Sequence, residues 1–132
     1  ATLMSNADIR VAFDITELWR GACQTELVQG CIIVRKEFLE KHKRDVDRFL
    51  KDYASSVEKV NANPAEASEI IAGHGIMANG AAAERAIPNC NIVCYTGDEM
   101  RDSARGMLEV LFQMEPKSIG GAMPPSDFYY VP

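Results

Sequence analysis

The sequence predicts an α/β fold in which few strands are flanked by several helices. Three observations predict it. DIRVAFDI and CNIVCY show the two-residue apolar alternation of strands, and CIIV is a short β-branched run of the same class. Elsewhere the apolar period changes to 3.6, most clearly along Val46, Phe49, Leu50, Tyr53, Val57 and Val60, which fall on one helical stripe. Three strands among five or six helices make a thin sheet for 132 residues, so strands from outside this chain are expected to complete it.

Each element has a local reason. Ile9, Val11 and Phe13 alternate with Arg10, Ala12 and Asp14, which describes a strand with one buried face. Thr16 is placed to cap a short helix through Glu17, Leu18 and Trp19 that Gly21 ends, and the stretch to Gln29 is irregular. Gly30 opens CIIV, which Arg35, Lys36 and Glu37 close; an uninterrupted apolar run suits a central strand buried on both faces. KEFLEKH makes a first helical turn or two before the long stripe from Val46 to Val60. Asn63 precedes Pro64, and proline at the first helical position loses only an N–H that has no helical partner, so a new helix starts there and Gly73 closes it. GIMANGAAAERAI reads as an alanine-rich helix ending before Pro88. After CNIVCY, Gly97 or Asp98 starts a long helix whose Met100, Ala104, Met107, Leu108, Leu111 and Phe112 repeat at helical spacing up to Pro116. The glycines and prolines of KSIGGAMPPSDFYYVP exclude regular helix from the tail, whose Phe128, Tyr129 and Tyr130 need a surface to lie on.

Composition narrows the function. With 47% hydrophobic and 25% charged residues the chain is globular in type. Fourteen basic against nineteen acidic side chains give a net charge of −5, the wrong sign for neutralising nucleic-acid phosphates or anionic lipid, so no nucleic-acid partner is expected. No apolar run approaches the roughly 20 residues that cross a bilayer. ATLMSNADIR lacks the regions of a secretory signal, so an export signal is expected to lie outside this chain. Cys23, Cys31, Cys90 and Cys94 form no Cys-x-x-Cys pair and read as buried apolar thiols. In a strand, Cys90 and Cys94 would share a side about 13 Å apart, too far for one disulfide.

The chemical motifs are mostly negative. The sequence contains no phosphate-binding glycine loop, nucleophile elbow, His-Glu-x-x-His helix or calcium loop. His42 reads as a solvated helix end and His74, between two glycines, as a helix C-cap. The pairs Asp45 with Asp47 and Glu66 with Glu69 lie on solvated faces among basic partners. No catalytic residue, metal or cofactor is therefore expected. Trp19, the one tryptophan, sits beside the irregular stretch to Gln29 and off any apolar stripe, and a flat amphipathic ring there suits a ligand wall.

Several segments together resemble a known family. GCIIVRKEFLEKHKRDVDRFLKDYASSVEKVNANPAEASEII resembles the strand, helix and Asn-x-Asn-Pro-x-Glu-Ala helix of ABC-transporter substrate-binding proteins, in the group handling nitrate, sulfonates, taurine and thiamine precursors. AIPNCNIVCYTGDEMRDSARGMLEVLFQMEPKSIGGAMPPSDFYY is similar to the end of one subgroup, where Pro-Lys-Ser-Ile-Gly-Gly and Asp-Phe-Tyr-Tyr recur as a pair. The likeness covers nearly the whole chain.

The resemblance implies the C-terminal portion of a two-lobed fold of the type II periplasmic-binding-protein kind. On that basis 1–15 would end the second lobe, 16–29 would be the crossover or hinge, and 30–132 would belong to the first lobe, with an extended tail at 116–132. The implied function is the solute-binding component of an ABC importer. It captures a small molecule, such as an anion or a thiamine-precursor-like compound, in an interlobe cleft and delivers it to the permease, without bond-making. The implied location is extracytoplasmic, in the periplasm or as a membrane-anchored lipoprotein. Glu17, Trp19 and Gln29 of the crossover are the expected ligand contacts. The expected partners are the solute and the permease, and unpaired apolar surface is expected to make this portion self-associate. The alternative is an enzyme or ligand-sensing domain on the same fold, as in pyrimidine or menaquinone precursor synthesis. An enzyme would need a His or Cys cluster in the cleft, whereas His74 and the Cys90/Cys94 pair fall on the outer body of the first lobe.

Overall fold

A computed structural model describes residues 6–132; the first five residues of the expected 1–15 segment lie outside the described residues. The element order is α1 (Ile15–Cys23), α2 (Lys36–Ala62), α3 (Pro64–Gly73), α4 (Gly80–Ala86) and α5 (Gly97–Met114). Short 3-10 turns occupy Ile87–Asn89, Pro116–Ile119 and Ser126–Phe128. Among the described residues no strand forms, and this corrects the expected α/β class and its place in a two-lobed, sheet-based fold: the chain is all-helical. Alternation and β-branching favour extended backbone, but a strand exists only when a second segment bonds to it. None does so here, and Ile33 of the expected central strand is 84% exposed.

The chain divides into two units. One consists of described residues up to 10 together with His42–Cys94. Its core gathers Val57 of α2, Ala67 and Ser68 of α3, Ala82 and Ala83 of α4, and Ile87. Most of these side chains are small, which lets helices pack closely but buries little apolar area per residue. The start of α3 is as the sequence predicts: Pro64 takes the first helical position and the Asn63 side chain accepts from the Glu66 N–H, while Asn63 Nδ2 donates to Glu66 Oε2 at 2.9 Å. His74 caps the other end, as expected. Asn61 Nδ2 donates to the Ile92 carbonyl at 2.8 Å, tying the end of α2 to the irregular 90–94 stretch. His42 departs from helical geometry inside α2 (φ −129°, ψ 31°).

The other unit is Val11–Lys41 with Tyr95–Pro132. Here α1 starts earlier than the sequence predicts. Asp14, not Thr16, is the cap, and its Oδ1 accepts from the N–H groups of Thr16 at 2.8 Å and Glu17 at 3.1 Å. An aspartate in extended conformation reaches both free N–H groups, and the helix then runs past Gly21 to end at a left-handed Gln24. Thr25 lies directly against Gly106 of α5, where the Thr25 hydroxyl occupies the place a Cβ would take. Beyond α5 the Glu115 carboxylate accepts from the Lys117 N–H at 3.1 Å, and the left-handed Gly120 ends that 3-10 turn. Of the three tail aromatics Tyr129 finds a surface and is 9% exposed, whereas Phe128, edge-on to it, stays exposed.

Candidate functional site

The three ligand contacts expected from the sequence do not form a cluster. Glu17 and Trp19 share α1 but stand two residues apart, and such positions face different sides of a helix. Glu17 and Gln29 are exposed, and no hydrogen bond or ion pair among the described residues joins any two of the three. Trp19 is half-buried, and its indole N–H is covered without a hydrogen-bond partner among the described residues. Its neighbour Arg20 holds Glu26 through two bonds, Nε to Oε1 at 3.3 Å and Nη2 to Oε2 at 3.1 Å, so the end of α1 is pinned to the segment that follows. That bond, then the Glu26 charge, raises the Arg20 pKa above its ordinary value.

A concavity of about 190 Å³ lies where the tail crosses α5. Arg101, Arg105 and Glu109 line it from the helix, four residues apart and therefore on one face. The tail contributes Met123, Pro124, Ser126 and Tyr129. At about 30 Å³ per water the space equals roughly six waters, below the size of pockets for drug-sized molecules. Arg101 is engaged on two sides, Nη1 with Asp98 at 2.7 Å and Nε with Asp102 at 3.0 Å. Arg105 gives only its Nε, to Glu109 at 2.8 Å, so its two Nη groups are uncommitted among the described residues. Tyr129 closes the floor with a hydroxyl that is buried and unpartnered among the described residues. Burial raises its pKa above the ordinary tyrosine value; nearby Arg105 lowers it and Glu109 raises it further. Protein atoms cover both the Trp19 N–H and the Tyr129 hydroxyl, so a solute reaches them only after neighbouring side chains move.

Two guanidiniums, one carboxylate and an apolar wall suit an anion with a short hydrocarbon part. Among the described residues no group of three or more His, Cys, Asp or Glu side chains could hold a metal ion. The cysteines are free and none is buried, which corrects the expectation of burial: Cys31 and Cys90 are exposed, and Cys23 and Cys94 are half-buried. No helix among the described residues is long and apolar enough to cross a membrane. Comparison with protein-family models, curated proteins and solved structures finds no match to this chain. The arginine stripe of α5 was not singled out from the sequence. Its signal was the i, i+4, i+8 spacing of Arg101, Arg105 and Glu109 beside the apolar stripe, with Tyr129 needing a surface.

Proposed function

We propose that this chain is the solute-capturing part of an ABC import system, holding a small organic anion outside the cytoplasm for transfer to a permease, with no covalent step. The family resemblance of the sequence supplies the transport context. The observation that carries capture is the concavity between α5 and the tail, where Arg105 presents two uncommitted Nη groups beside the apolar Met123 and Pro124. A guanidinium fork matches a carboxylate or sulfonate in two parallel hydrogen bonds. Glu17, Trp19 and Gln29 are proposed as further ligand contacts from residues 16–29, Trp19 through the exposed part of its ring.

A thermal-shift panel of small sulfonates, carboxylates, nitrate and pyrimidines tests the reading. One organic anion should stabilise the chain in proportion to the logarithm of its excess, by about 2.7 kcal/mol at a hundredfold excess over Kd. Arg105→Gln should abolish that shift. No response to any anion, or conversion of a compound to product, would overturn the proposal.

A further inference from the structure

The run from Ile9 to Ile15 has three properties that belong to that stretch of chain by itself. Residues 9–14 contain neither helix, turn nor bend, and Asp14 is extended (φ −91°, ψ 111°). The N–H groups of residues 10–13 make no hydrogen bond among the described residues. In extended backbone the sequence would set Val11 (69% exposed), Phe13 (71%) and Ile15 (63%), the first residue of α1, on one side and the exposed Arg10, Ala12 and Asp14 on the other. Unpaired backbone beside an apolar row is a template for pairing with another extended segment.

We propose that this run docks a second copy of the chain, the two runs lying antiparallel about a two-fold axis through Ala12. The sequence is self-complementary in that register. Ile9 lies opposite Ile15 of the second copy and Val11 opposite Phe13, so one face is wholly apolar. On the other face Arg10 lies opposite Asp14, twice by symmetry. Arg10 has no ion-pair partner among the described residues, and Asp14 uses only Oδ1 in capping α1, leaving Oδ2 for the guanidinium. Slipping by one residue mixes the faces. Slipping by two keeps them but sets Asp8 against Asp14 in one direction, and in the other leaves Arg10 opposite Thr16. The short ladder forms between copies and leaves each chain's own fold helical.

Sedimentation velocity of the full chain over a range of concentrations, combined with oxidative cross-linking, tests this docking. The chain should show a monomer–dimer equilibrium, and Arg10→Asp should raise its dissociation constant about tenfold by setting like charges opposite each other. A residue on the axis faces itself within disulfide reach. Ala12→Cys should therefore give a covalent dimer whose linked peptide maps to position 12, whereas Arg10→Cys, displaced from its own copy along the strand, should not link to itself. A chain that stays monomeric, with this surface left to some other polypeptide, overturns the proposal. So does a dimer that fails to link through position 12.

Discussion

Tyr129 shows how a single buried atom sets a residue's contribution. Its ring is 9% exposed and packs against Phe128, but its hydroxyl is covered and unpartnered among the described residues. A buried hydroxyl without a partner costs stability, so Tyr129→Phe, which keeps the ring and removes the oxygen, is expected to stabilise the chain by about 1 kcal/mol in chemical denaturation. The pH dependence follows from the direction of its shift. Burial raises the folded-state pKa, so the folded chain holds the phenolic proton more tightly than the unfolded chain does. The contribution is intact below the ordinary tyrosine pKa of about 10 and is lost as pH rises through the higher folded value. The Tyr129→Phe variant should lack this component of the alkaline loss, read as the difference between the two proteins' denaturation midpoints across that range.

Where one element meets another, Gly106 decides the packing. In an exposed helix interior a glycine-to-alanine change gains about 1 kcal/mol. At Gly106 the added methyl would overlap the Thr25 hydroxyl, and overpacking costs about 1–3 kcal/mol. The steric term wins, so Gly106→Ala should destabilise the chain in thermal melts, and adding Thr25→Ala should recover the loss. The helices themselves were largely legible in the sequence, because their signals are local. Asn63 and Pro64 mark the start of α3, Gly97 the start of α5, and Val57 of the predicted stripe is buried. The start of α1 was misplaced because two neighbouring residues, Asp14 and Thr16, can both cap, and the carboxylate reaches two N–H groups. The expected strands failed for a different reason. Ile32, Ile33 and Val34 carry the composition of a strand, but pairing depends on a distant segment that their own pattern does not encode. The concavity was illegible on the same grounds, since only the return of the tail brings Tyr129 to Arg105.

For the molecule as a whole, the core is small for the length of chain. No large side chain among the described residues is fully buried, and the buried set includes Ala67, Ala82, Ala83 and Ser68, which are small. Stability from burial is correspondingly modest, and association that covers Val11, Phe13 and Ile15 would add to it. The thermal midpoint should therefore rise with protein concentration, and this dependence should weaken in Arg10→Asp; a midpoint independent of concentration would contradict the link. A net charge of −5 is too small to oppose such association strongly at physiological salt, where the screening length is about 8 Å.

The break at His42 has an electrostatic consequence. Peptide dipoles add only along a continuous helix, so α2 acts as two shorter dipoles, and the second begins with its own positive end just after the break. Asp45 stands in that opening turn, where a carboxylate is favoured, and offsets Lys43 and Arg44, which are not. Asp45 also reaches back to the His42 ring at 3.3 Å, so the carboxylate that suits the new helix end also bridges the discontinuity that creates it.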